Sequence, residues 1–205
     1  MTVIVDYRAG NLTSVRLAIE AVGGTVQVSS DPSTVAAADR VVFPGVGAAK
    51  SAMENLRELG LIDVVRDAAR SKPFLGICLG MQILFDRTEE DGGVDCLGIL
   101  PGQVRRFPNV TGCKVPEIGW NSVSANDPHG FLNDGEEFYF VHSYYVELNP
   151  FAVGRTSYAG VEFASAVRRW QLFATQFHPE KSGRIGLALL RAFLNMPTTE
   201  KQERP

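Results

Sequence analysis

The 205 residues hold no cysteine pair spaced C-x-x-C, and three cysteines, Cys78, Cys96 and Cys113, leave one over in any pairing scheme. Neither a disulfide framework nor a zinc site follows from such a set. Basic runs are missing too. The longest are the pairs Arg105-Arg106 and Arg168-Arg169, and with a formal net charge of −3 nucleic acid is not an expected ligand. No apolar run approaches membrane-spanning length, and Thr2-Val3-Ile4-Val5-Asp6 turns polar too soon for the apolar stretch of a secretion signal. The expectation is a cytoplasmic protein with no membrane contact, no metal and no cofactor. Repeats and low-complexity segments are also lacking, so an ordinary globular domain is expected, occupying 1–196 and followed by a polar tail over 197–205.

In the first half, short apolar runs alternate with helical patterns. Val3–Tyr7 precedes a helix over Leu12–Val22 that stops at Gly23-Gly24, and Val26–Ser29 follows. Val41–Phe43 leads into helical stretches over Ser51–Leu59 and on to Arg70, and then comes Phe74–Cys78. Strands that are apolar throughout and alternate with helices predict an α/β fold, a three-layer sandwich whose mostly parallel sheet is covered on both faces. Ligands in such sheets gather at the carboxyl ends of the strands. From Leu97 the pattern shifts to strands without long helices, at Val104–Phe107, Ile118–Val123, Phe138–Val146, Ala164–Val167 and Leu172–Phe177, and a helix over Gly183–Asn195 closes the domain.

Cys78 lies at one strand's carboxyl end, inside Gly76-Ile77-Cys78-Leu79-Gly80-Met81-Gln82. A G-x-C-x-G segment between an apolar strand and a helix, here expected over Met81–Phe85, is the sequence form of a nucleophile elbow. Most unpaired cysteines are simply small buried residues. A thiol at a helix N-terminus, however, is poised to ionise. Such a nucleophile needs a base and an orienting group, and Gln176-Phe177-His178-Pro179-Glu180-Lys181 offers both. In an extended segment residues two apart share a side, which brings Glu180 to the His178 imidazole. The developing oxyanion needs backbone N–H donors, supplied by Leu79 and by the glycine-rich loop Pro44-Gly45-Val46-Gly47.

Through these three segments, in this order, the chain resembles the class I (triad) glutamine amidotransferases. It is most similar there to the glutaminase subunits of imidazole glycerol phosphate synthase, through Asp6-Tyr7-Arg8-Ala9-Gly10-Asn11, Lys114 to Asn121, Tyr139 to Tyr145 and Lys181-Ser182. The resemblance implies a flavodoxin-like architecture and a Cys78, His178, Glu180 triad, with Val46, Gly47 and Leu79 at the oxyanion. It implies that Gly45, Gln82, Glu90 (which Glu89 adjoins), His142, Ser143 and Tyr144 hold glutamine, the last three through their backbone. It also implies a heterodimer with a (β/α)8-barrel cyclase subunit that takes the ammonia and forms imidazole glycerol phosphate and an aminoimidazole ribotide in histidine biosynthesis. Asn11, Lys114, Trp120, Asn121 and Lys181 are the expected interface, with Trp120 either its anchor or a core tryptophan. Two residues depart from the family's pattern. Arg8 stands where a small residue is usual and Glu117 where histidine is frequent. Other readings are a glutaminase serving chorismate-derived or pyridoxal phosphate synthesis, a cysteine peptidase, and a noncatalytic α/β module.

Overall fold

The computed structural model describes residues 1–198, so most of the expected polar tail lies outside the described residues. Five parallel strands form half of the sheet, in the order β2 (Val26–Ser29), β1 (Thr2–Val5), β3 (Arg40–Gly45), β4 (Phe74–Cys78) and β13 (Leu172–Thr175). Side chains on these strands alternate between two cores. Val3, Val5, Val41, Phe43 and Phe74 pack towards α2 (Pro32–Ala37), α3 (Ala49–Glu58) and α4 (Ile62–Ser71). Ile4, Val42, Leu75, Ile77 and Phe173 pack towards α1 (Leu12–Ala21) and α6 (Gly183–Leu194). Period-two alternation between two helix layers produces the three-layer sandwich, since each strand face must be covered.

Beyond β13 the sheet turns mixed. It continues through β12 (Val161–Arg169), β10 (Tyr144–Val146) and β7 (Gln103–Arg106) to the short β5 (Arg87–Thr88) and β6 (Val94–Asp95). A hairpin of β8 (Glu117–Ala125) and β9 (Glu136–His142) joins through β11 (Ala152–Tyr158), which pairs with both β12 and β8.

Several elements differ from the sequence expectation. Helix α2 was not expected, yet Asp31 caps it by accepting from the Ser33 and Thr34 N–H groups, with Pro32 in the first turn. Hydrogen bonds from the Ser33 and Thr34 hydroxyls, added to those cap bonds, hold the Asp31 carboxyl down at about 2. Strand β11 was likewise unexpected, its alternation being interrupted by Gly154 and Arg155 at a register shift. The run Phe138–Val146 is not one strand. It breaks at Ser143, because β9 pairs with β8 whereas β10 pairs with β7 and β12, and the Ser143 carbonyl accepts from the Phe107 N–H at the crossing.

Candidate active site

The parallel register sets the site. Gly45 lies opposite Cys78, and Thr175 lies opposite Ile77, so the ends of β3, β4 and β13 converge. Cys78 holds φ +55° and ψ −112°, a conformation costly for a side chain of its size. The elbow is therefore a feature of the backbone itself. Its two glycines are required by close approach: a Cβ on Gly80 would overlap the Phe43 carbonyl, and one on Gly76 would press on Ala174 and Gly80. The helix behind the elbow is shorter than expected. It is a single turn, α5 (Leu79–Gln82), with Ile83–Phe85 in turns rather than helix, too short to carry a full helix dipole to the sulfur.

His178 lies three residues past the end of β13, and its buried Nε2 has no hydrogen-bond partner among the described residues. Its amide donates to the Tyr139 carbonyl, and its own carbonyl accepts from the Ser182 hydroxyl at 2.7 Å. Nδ1 of His178 stands 2.7 Å from Glu180 Oε1, with both side chains almost fully buried. A ring nitrogen facing a carboxylate carries the hydrogen, which leaves Nε2 for the thiol. The path to this contact is not the extended segment expected. Pro179–Lys181 is a 3-10 turn, and it curls Glu180 back onto the ring. Burial lowers the imidazole's affinity for a proton, but Cys78 and Glu180 outweigh it and raise His178 to about 10. Because this exceeds the unfolded value of 6.5, the charged pair's contribution to stability is full below about pH 6.5 and is lost as pH rises through about 10. Denaturation midpoints of the parent and Glu180→Gln should accordingly converge between pH 6.5 and 10. A constant gap across that window would contradict the pairing.

Around this centre the structure distinguishes residues that the sequence left together. Glu89 is committed outward, to Arg105 at 2.6 Å and to the Arg106 N–H. Glu90 turns inward, and its Oε2 accepts the Ala49 N–H at 2.6 Å, capping α3 directly after the Val46–Gly47 loop. Burial raises its carboxyl above the usual range. Val46 and Gly47 are exposed, with Gly47 at φ +94°. Gln82 is buried and spends its amide hydrogens on the Tyr144 carbonyl at 2.8 Å and on Gln176 Oε1 at 2.9 Å, which leaves its Oε1 as an acceptor. His142 is buried with its ring nitrogens on Tyr144 O and Glu117 Oε2.

Sequence reasoning did not assign roles to Gln176, Tyr7 or the pairing of Glu117. Gln176 precedes the His-Pro-Glu run, and its Nε2 donates to Cys78 Sγ at 3.7 Å. The Tyr7 hydroxyl, fully buried and without a partner among the described residues, occupies the space a Gly45 Cβ would need. Burial first, and then the charge of Cys78, push its phenol far up.

Of the expected interface residues, Trp120 is 54% exposed and hence not a core tryptophan. It meets Tyr139 edge-on, and Lys181 lies over the same ring at 5.8 Å, beside the 63%-exposed Ile118. Lys114 is exposed. Asn121 turns inward to Glu117 Oε1 and the Ser157 carbonyl, and Asn11 caps α1 by accepting from the Ser14 N–H. Arg8 holds φ +63°, a conformation that strains a side chain, and it pairs with Glu58 at 3.0 Å.

Comparison with known families decides what this arrangement belongs to. Residues 3–196 match the family model "Glutamine amidotransferase class-I". The chain is a class-I glutamine amidotransferase. Among curated relatives of this amidotransferase, imidazole glycerol phosphate synthase subunit HisH of Acinetobacter baylyi is 48% identical, over 93% of this chain and 96% of its own. The Aromatoleum aromaticum protein of the same name is 51% identical over 94% and 96%. Solved structures agree on the fold. A crystal structure of a glutamine amidotransferase superposes with TM-score 0.73 at 21% identity, covering 94% of this chain and 96% of that one. PurLQS from Thermotoga maritima gives 0.69 at 21%, over 95% and 97%. Among the described residues no cluster of three His, Cys, Asp or Glu side chains could hold a metal, and no helix is long and apolar enough to cross a membrane.

Proposed function

We infer that this amidotransferase is the glutaminase subunit of an imidazole glycerol phosphate synthase, working with a (β/α)8-barrel cyclase subunit in histidine biosynthesis. One observation carries the chemistry: a strained, buried Cys78 at a strand end shared with Gly45, beside a His178 whose far nitrogen is held by Glu180. About 50% identity to HisH subunits over nearly the whole chain supports the pathway.

In the reaction, Cys78 sulfur attacks the side-chain carbonyl carbon of glutamine. The carbonyl oxygen gains charge and takes N–H donors from Leu79 and the Val46–Gly47 loop. His178, protonated at both nitrogens, gives its Nε2 proton to the departing nitrogen as the C–N bond breaks, releasing ammonia and leaving a thioester. Water then adds to the thioester, with His178 taking its proton, and glutamate leaves as the sulfur is restored. Gln82 Oε1 and the inward Glu90 offer acceptors to the glutamine ammonium, beside Gly45 and the backbone of His142, Ser143 and Tyr144.

The barrel docks on the face holding Lys181, Trp120 and Lys114, with Asn11 and Asn121 at its margin. Trp120→Ala is expected to weaken association by about 2 kcal/mol, roughly thirtyfold in Kd, measured by titration calorimetry. Ammonia leaving such a complex is useful only if release waits for the partner. Glutamine hydrolysis should therefore be slow alone, faster with the cyclase, and fastest with cyclase and its ribotide ligand. Equal rates in all three conditions would overturn the assignment.

A further inference from the structure

A buried line of side chains runs from the partner-facing hairpin to the reactive sulfur. Gln176 is fully buried, and its Nε2 donates to Cys78 Sγ at 3.7 Å while its Oε1 accepts from Gln82 Nε2 at 2.9 Å. Gln82 Nε2 donates also to the Tyr144 carbonyl at 2.8 Å, and His142 Nδ1 lies 2.7 Å from that same oxygen. His142 Nε2 meets Glu117 Oε2 at 2.9 Å, and Asn121 Nδ2 donates to Glu117 Oε1 at 2.8 Å. Every member except Asn121 and Tyr144 is more than nine-tenths buried.

The direction of each bond follows from what the groups can do. A carbonyl only accepts, so His142 Nδ1 carries a hydrogen and Gln82 must turn its NH2 to Tyr144. The second Gln82 hydrogen requires an acceptor, which orients the Gln176 oxygen and leaves the Gln176 NH2 for the sulfur. At the far end Nε2 faces a carboxylate, so one proton is shared between Glu117 and His142 in addition to the one on Nδ1. A buried group that loses its partner cannot turn to water, which makes each orientation depend on the next.

We propose that Gln176 supports the nucleophile by presenting an N–H to the Cys78 sulfur, and that Gln82, His142 and Glu117 lock that amide in place from strand β8. A negatively charged sulfur gains from such a donor far more than a neutral thiol does. The same strand exposes Ile118 and Trp120, so its position and the sulfur's environment are joined through a single hydrogen-bonded line. The consequence for glutamine turnover rests on the glutaminase reading; the sulfur contact does not.

The test is alkylation of Cys78 by iodoacetamide in the full chain, with mass spectrometry separating it from Cys96 and Cys113. Gln176→Met keeps the volume and removes the donor; its rate at pH 7 should fall about tenfold, with the pH profile displaced upward. Glu117→Leu should slow alkylation about threefold. Glu117→Gln, which still offers a donor to Nε2 and an acceptor to Asn121, should stay within about twofold of the parent. Combining Glu117→Leu with Gln176→Met should be no slower than Gln176→Met alone. A Gln176→Met profile superimposed on the parent overturns the donor, and effects that multiply in the double variant overturn the lock. If Gln176→Met does not fold, equal rates in the two Glu117 variants overturn the lock by themselves. A chain that alkylates as expected but hydrolyses no glutamine even with the cyclase and its ribotide ligand present supports this contact and refutes the glutaminase reading instead.

Discussion

Cys78→Gly is expected to abolish glutamine hydrolysis and at the same time to make the fold more stable. The parent holds Cys78 at φ +55° and ψ −112°, which costs an L side chain about 1–3 kcal/mol and glycine almost nothing. Losing the buried thiol offsets about 1 kcal/mol of that relief. The remaining gain, about 1 kcal/mol, corresponds to roughly 2–4 °C in Tm for a chain of this length. Cys78→Ala loses the same nucleophile but keeps the strain, so it should show no such gain. Both variants should lose at least about 10⁴-fold in glutaminase rate, while added ammonium salt still drives synthesis by the cyclase. Thermal melts beside an ammonia-release assay check both halves. A glycine variant no more stable than the alanine one would remove the strain argument, and glutamine-dependent synthesis in either would remove the nucleophile.

The second large effect is expected at Gly80. Alanine there must push its Cβ against the Phe43 carbonyl, which belongs to the β3 backbone and cannot rotate aside like the tip of a side chain. Gly80→Ala should cost at least about 3 kcal/mol in urea denaturation, at the upper end for overpacking, because relief requires β3 and the elbow to separate. That separation also moves Cys78 from Gly45. Any variant that folds should therefore lose activity far beyond its loss of stability. A Gly80→Ala protein with parental urea midpoint and rate would show that the elbow tolerates what its geometry forbids.

Both effects rest on glycines and a cysteine that stand out in the sequence, and local signals of that kind were legible. The strand and helix alternation of the first half, the G-x-C-x-G turn and the His-Pro-Glu run each encode their geometry within a few residues. What could not be read there depends on distant partners. Strand β8 meets β9 across a long loop, so the sequence could not tell that Glu117 faces His142. The break at Ser143 arises because different neighbours claim the strand on either side, although aromatic and apolar residues flank His142-Ser143 on both sides. Gln176 gave no signal beyond its place before Phe177-His178; only the inward turn of Gln82 shows which way its amide points. For Glu180 the contact was foreseen and the route was not, since a proline can open a 3-10 turn as readily as it can continue an extended segment. Helix α2, by contrast, did carry its signal, an Asp-Pro start of the usual capping kind.

The insertion of β13 beside β4 also fixes a sequence in time. The strand that completes the site is made nearly a hundred residues after the cysteine it flanks. Until Leu172–Thr175 has left the ribosome, β4 has no neighbour on that side, and His178 does not yet exist. A nascent chain therefore carries Cys78 without its base over the roughly hundred residues between Cys78 and His178. Its partnered reactivity can arise only once β13 has paired with β4 and His178 has been made, so the fold itself delays the site's assembly.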